Sequence, residues 1–217
     1  MPYSAETLRE KVGILREAFQ AELGRQASDY ELQAAAAVAW AETGFGSGWG
    51  KMGSGCADSH NWGAMQSLAP SCCFTTDHHQ DGSAYKSYFK CYPDDLAAAR
   101  DMIAWFRKKS PGALEALAQG DFGLFSLALY RSHYYEGVCS GFPAGSQACA
   151  DQVVRAHATG LHRHAREVAA AMGVPAIPLG TVPEEPTPGG ASPSSMGAFA
   201  LVGIASVAIL ALTLRKR

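Results

Sequence analysis

The stretch 28-SDYELQAAAAVAWAETGFGSGW-49 decides how this chain folds. Ser28 followed by Glu31 is a capping box, which starts a helix by satisfying its first free N–H groups. The helix it opens is alanine-rich and almost uncharged. Such a helix has no wet face and is expected to be buried on most sides. Gly44, Gly46, Gly48 and Gly50 end it. Glu42 is then the one ionisable group near the end of a buried helix, with Trp40, Phe45 and Trp49 beside it. Desolvation disfavours a carboxylate there, and so does the negative end of the helix dipole. Both push Glu42 toward being a proton donor near neutral pH, the group that glycosidic cleavage needs at the leaving oxygen. A glutamate that simply reaches solvent at a frayed helix end is the competing reading.

Working outward, residues 1–20 carry Leu8, Val12, Leu15 and Phe19 at spacings of three and four, continued by Leu23. This is an amphipathic helix and not a leader, since no basic start precedes an apolar run. Downstream, Asn61-Trp62-Gly63-Ala64-Met65-Gln66 follows a glycine- and serine-rich loop. A hairpin is expected around Asp81-Gly82, with Tyr85, Tyr88, Phe89 and Tyr92 suited to strands. Pro93 is expected at the first position of the next helix, with Leu96, Ala99, Ile103 and Phe106 inward. Short helices follow near 112–118 and 122–133, then a long one over about 148–172. The fold class is α+β, mostly helical, with a small β-hairpin lobe.

The chain has 217 residues and a formal net charge of −2, which argues against a general nucleic-acid role. Six cysteines point to an oxidising compartment. Cys139–Cys149 would close a Gly/Pro/Ser-rich loop. The other four cluster around the hairpin, where adjacent Cys72 and Cys73 are expected to take different partners. Asp77, His78, His79 and His60 are potential metal ligands, but no C-x-x-C or H-E-x-x-H spacing is present, so no metal or cofactor is expected.

Residues 1–173 read as the catalytic domain and 174–195 as a Pro/Gly/Ser-rich linker. Residues 196–217 read as a transmembrane helix with a basic end. Met196–Leu214 holds no charge over 19 residues, about 28 Å of helix against a hydrocarbon core of about 30 Å. Arg215, Lys216 and Arg217 place that end in the cytoplasm and the domain on the extracytoplasmic, periplasmic or virion, side.

Three motifs in order, AVAWAETGFGSGWGKM, HNWGAMQ and YKSYFKCYPDDLAAARDMIAWF, resemble the lysozyme-like superfamily. The likeness is strongest to the bacterial and phage glucosaminidases that act on peptidoglycan. It covers about residues 30–107, and Gly63-Ala64-Met65-Gln66 also resembles lytic transglycosylases. The resemblance implies a lysozyme-like fold and a membrane-anchored peptidoglycan glycosidase or transglycosylase with Glu42 as catalytic acid, serving a phage or an envelope machine. It implies a catalytic tyrosine before the final helix, with Tyr135 placed ahead of Tyr134, which is then a substrate contact. Asp81 is the candidate for a second catalytic carboxylate, with Asp58 and Asp77 open as alternatives. Asn61, Trp62 and Gln66 are expected to touch sugar. Peptidoglycan strands are the expected partner, with virion or envelope-complex proteins beside them. A chitinase-like hydrolase and a non-catalytic glycan-binding virion or envelope protein remain alternatives.

Overall fold

The structure is a computed structural model that describes residues 3–47, 56, 59–78, 83–135 and 146–182, with backbone alone at 77 and 78. Six helices and one antiparallel hairpin occupy these residues: α1 (Ala5–Leu23), α2 (Asp29–Thr43), β1 (Cys73–His78), β2 (Ala84–Phe89), α3 (Asp95–Lys109), α4 (Pro111–Ala118), α5 (Phe122–Arg131) and α6 (Gln147–Met172). The α+β, mostly helical class holds. Met196–Leu214 lies outside the described residues, and no described helix is long and apolar enough to cross a membrane.

Helix α2 is the centre of the body, packed by α1, α4 and α6. Ala34 to Ala39, Val38 included, have no exposed surface. Alanine favours the helix intrinsically and allows neighbours to come close on several sides at once. The capping box forms as expected: the Glu31 N–H donates to Ser28 Oγ, and Glu31 Oε2 accepts from the Ser28 N–H at 2.8 Å. Helix α1 buries Leu8, Val12, Leu15 and Phe19 as its spacing requires. Helix α3 departs from expectation at its start. Asp94, not Pro93, makes the boundary, because its carboxylate accepts from the Ala97 N–H at 2.8 Å, and Pro93 stands outside the helix.

The hairpin pairs Cys73 with Phe89 and His78 with Ala84. The stretch Met65–Ser67 runs beside β2 as a third, very short strand: Lys90 N–H donates to Met65 O and Ser67 N–H to Tyr88 O, both at 2.8 Å. This lobe has a small core of its own, Cys56, Cys73 and Phe89. Disulfides Cys56–Cys73 and Cys72–Cys91 brace it, so the adjacent cysteines do take different partners. Each closes a loop of a size for which chain entropy predicts about 3 kcal/mol. Cys149 is disulfide-bonded, and its expected partner Cys139 lies outside the described residues.

The expected linker needs correction at its start. Residues 174–182 are docked on the helical body. The Gln33 side chain, wholly buried in α2, donates to Pro175 O at 2.9 Å and accepts from the Ile177 N–H at 2.7 Å. His162 Nε2 donates to Ile177 O at 2.8 Å, and Ile177 itself is buried. Further on, Gly123 N–H donates to Leu179 O at 2.7 Å, and Asp121 accepts from the Thr181 N–H. Composition reads as linker here, but a buried amide and one isoleucine override it. The folded unit therefore runs at least to Val182.

Gly123 permits this crossing, because a methyl there would be driven into the Thr181 carbonyl. Gly123→Ala is expected to destabilise the fold by about 1–3 kcal/mol and expose 174–182 to protease. Gly13→Ala, in a helix where nothing lies within 4 Å of the added carbon, is expected to stabilise by about 0.5–1 kcal/mol. Thermal melts and limited proteolysis of the two variants check this.

Candidate active site

Glu42 is fixed by what stops its helix. Gly44 adopts a left-handed conformation (φ 57°) and returns its N–H to the last turn of α2. Thr43, buried, donates its hydroxyl to Trp62 O at 2.9 Å and accepts from the Gly46 N–H at 2.9 Å. Tyr3 donates to Gly44 O at 2.6 Å. The helix end is thus tied to the 61–63 loop and to the N-terminus. Glu42 is half-buried, and desolvation lifts its carboxyl to about 7. No basic residue stands in the last turn of α2 to counter this.

The loop after Ser59 forms the floor. His60 and Ala64, both at φ 51°, bend it tightly. Left-handed backbone at such residues costs on the order of 1 kcal/mol each. Asn61 offsets this cost. Its amide donates to Met65 O at 2.9 Å and to Lys90 O at 3.0 Å, and its oxygen accepts from the Met65 N–H at 2.8 Å. Asn61 is wholly buried and its amide is saturated by backbone, so it latches the loop to the hairpin lobe and does not meet sugar. Trp62 also has no exposed surface. It stands edge-to-face with Phe45 at 5.2 Å, and Lys11 Nζ lies 5.6 Å above its ring. The expected sugar platform is a floor. Gln66, by contrast, is exposed beside β2 and open to a ligand.

Lys11 and His60 both bond Asp95, at 2.6 and 2.7 Å. Burial alone would raise the Asp95 carboxyl. Lys11, His60 and the Trp62 indole outweigh it and hold Asp95 below its ordinary value. This cluster joins α1, the loop and α3 at Trp62.

Of the two tyrosines, Tyr134 is the one that senses Glu42. Burial pushes its phenol up, and the nearby charges of Glu42 and Tyr92 push it further. Its hydroxyl donates to Gly63 O at 2.9 Å, and its ring meets the edge of Trp105 at 4.8 Å. Gly63 permits this approach, since a Cβ there would sit 3.1 Å from the phenol oxygen and 2.9 Å from Met65 Cε. Tyr135 turns into the α5–α6 packing. Its ring stacks on His157, and its hydroxyl meets Ser126 Oγ at 2.9 Å. Ser126 in turn holds His157 Nδ1 at 2.8 Å, and burial lowers that imidazole to about 3. Tyr135 belongs to this buried network, and the place beside the acid falls to Tyr134.

Asp81 and Asp58 lie outside the described residues, as does the side chain of Asp77. Among the described residues no group of His, Cys, Asp and Glu is placed to hold a metal. One residue absent from the sequence reading of the site bears on Tyr134. Tyr92 is close enough to raise the Tyr134 phenol, and it donates to Asp101 Oδ2 at 2.6 Å. The Tyr-Pro pair at 92–93 was the available signal for Tyr92; nothing in the pattern of α3 marks Asp101. A depression of about 350 Å³ between α4 and α5, lined by Ser110, Glu115, Gln119 and Arg131, includes none of these groups.

No protein-family model, curated protein or solved structure matches this chain.

The arrangement can deliver a proton near neutral pH from a fixed, partly desolvated acid. It also has a cost in stability. A carboxyl whose folded value is raised from 4.5 to about 7 favours folding fully below 4.5, and that contribution is lost as pH rises through about 7. Glu42→Gln is expected to flatten this dependence and to gain about 1–2 kcal/mol at pH 8, after allowance for partial solvent screening. Denaturant titrations at pH 5 and pH 8 read it. Asn61→Ala is expected to cost about 2–4 kcal/mol through the buried groups it orphans, measured by the same titration.

Proposed function

We propose that this chain cleaves the β-1,4 glycan strand of peptidoglycan, with Glu42 as general acid. The observation that carries this reading is the half-buried Glu42 carboxyl at about 7, fixed at the end of the central helix beside Tyr134. A carboxyl with that affinity for protons is still half protonated at neutral pH, which matches the demand of a glycosidic leaving oxygen. The order of motifs supports a lysozyme-like architecture: a glutamate ending a buried helix, a small disulfide-braced hairpin lobe, then a helical body.

Glu42 donates its proton to the bridging oxygen as the bond to the anomeric carbon breaks. The attacking group is then either a water activated by a second carboxylate, for which Asp81 is the candidate, or the substrate's own 6-hydroxyl. The second route needs no second carboxylate and leaves a 1,6-anhydro end. Tyr134 commits its proton to Gly63 O and so is not a donor to the reaction. Gln66, exposed on the edge beside β2, is the candidate to bind an acetamido group. The domain acts outside the cytoplasm, tethered through Met196–Leu214, in a phage particle or an envelope machine that opens the wall locally.

The full-length protein with its disulfides formed is expected to release soluble fragments from purified peptidoglycan, read by mass spectrometry. Glu42→Gln is expected to lower the rate about 10²–10⁴-fold. Activity is expected to fall as pH rises through about 7, because the acid must carry its proton. Fragment ends name the route: reducing GlcNAc, reducing MurNAc or 1,6-anhydro-MurNAc. A folded protein that releases nothing from peptidoglycan overturns the reading, and cleavage of chitin alone would reassign the substrate.

A further inference from the structure

The depression between α4 and α5, about 350 Å³ in volume, is unused by the catalytic reading. Small residues create it. Gly112, Ala116 and Ala128 line it, and a Cβ on Gly112 would lie 3.8 Å from the Ala128 methyl. Leu124 and Leu127, both half-buried, line its α5 side. At the far end Ser110 donates its hydroxyl to Ala128 O at 3.1 Å. Two exposed cations stand at that end: Arg131, which lines the groove, and Lys109, the neighbour of Ser110. No acid among the described residues pairs with either. Glu115, on the α4 side, is the one acid in the lining.

The docked strand 174–182 ends at the head of this groove. It crosses the first turn of α5, where a Cβ on Gly123 would meet the Thr181 carbonyl and lie 3.0 Å from Val182 Cγ1. Gly123, Leu127 and Arg131 are spaced by four and so form one ridge of α5. Val182 therefore stands at the start of the ridge whose later members line the groove. Arg131 is eight residues beyond Gly123, about 12 Å along the axis. Helical side chains lean toward the N-terminus, which brings its guanidinium back toward Val182.

The next residues are Pro183-Glu184-Glu185-Pro186-Thr187. In the extended conformation that proline favours, each residue advances about 3.1 Å, so Glu184 and Glu185 come about 6 and 9 Å beyond Val182. That spacing matches the reach of Arg131. Proline rings suit an apolar wall, lose little freedom on docking and carry no N–H to leave unpaired.

We propose that residues 183–187 of this chain occupy the α4–α5 groove, with Pro183 against Leu124 and Leu127 and the Glu184 and Glu185 carboxylates on Arg131 and Lys109. The docked strand then extends to Thr187, and the free tether begins after it. The inference does not depend on what the domain cleaves.

The test treats the full-length protein, disulfides formed and dilute, with a carbodiimide, which joins a carboxylate to an amine only where the two touch. Mass spectrometry of peptides from the monomer reads the links. The ion pairs Lys11–Asp95 and Lys90–Asp101, at 2.6 and 2.8 Å, are internal standards. Arg131→Lys places an amine in the groove at an exposed position, where the fold tolerates it. In this variant Glu184 or Glu185 is expected to link to position 131 or to Lys109, in yield comparable to Lys90–Asp101. Adding Leu127→Asn, which removes apolar wall without adding charge, is expected to lower that yield about 5–10-fold and leave the standards unchanged. Standards that link while positions 131 and 109 stay free of Glu184 and Glu185 overturn the proposal. So does a link from position 131 to Glu115 alone, which would mean that the groove closes on itself. Links found only in a dimer give the groove to a second copy's tail and overturn it too. An undiminished yield with Leu127→Asn overturns the apolar half of the contact.

Discussion

Three helices press on α2 at once, and the fold is arranged around how close they come. Six consecutive residues of α2, Ala34 to Ala39, carry nothing larger than Val38 and expose no surface. Small side chains yield little apolar area each, so the helix contributes by bringing larger residues of α1, α4 and α6 within contact of one another. A helix so enclosed cannot place a charge anywhere but at its ends. Glu31 takes the first end, where Arg25 and Ser28 neutralise it. Glu42 takes the other, with no basic residue in its turn. The same enclosure that stabilises the body therefore raises the proton affinity of Glu42. The enclosed body and the raised proton affinity have one cause.

The hairpin lobe follows a different logic. Its core of Cys56, Cys73 and Phe89 is too small to hold two strands by apolar burial alone. Covalent links and one buried amide supply the rest. The disulfides tie the strands to the loop on either side, and Asn61 ties that loop to Met65 and Lys90. Through Thr43, which meets the Trp62 carbonyl, the lobe is registered against the end of α2. The position of Glu42 relative to the lobe is thus set by hydrogen bonds between backbone groups and two short polar side chains. None of them is drawn from the apolar core.

Residues with local causes were legible and residues with distant causes were not. Ser28 and Glu31 announce their helix because both halves of the capping box lie within one turn. Leu8, Val12, Leu15 and Phe19 announce α1 because their period is the helix's own. Cys72 and Cys73 announce different partners because they are adjacent in the chain. Asn61 and Trp62 carry polar and flat surfaces that suit a sugar, yet the structure gives both to the interior. Their burial depends on Lys11, Phe45 and Lys90, between 17 and 51 residues away in the chain. Tyr134 and Tyr135 are adjacent and identical in type. Only the direction of the chain leaving α5 sends one toward Glu42 and the other onto His157.

The sequence by itself determined the helical class, the hairpin, the separation of the disulfide partners and the place of Glu42 at the end of a buried helix, because each follows from propensity, period or capping within a short window. Tertiary structure alone decided that 174–182 is part of the fold, since its hold comes from Gln33 and Gly123, two residues unremarkable in their own helices. It alone joined Lys90 and Tyr92 to Asp101, because α3 must dock against α1 before its side chains reach the end of β2. A short window reports what a residue prefers. Which neighbours take up its hydrogen bonds, and how much water they remove, is settled only when distant elements pack.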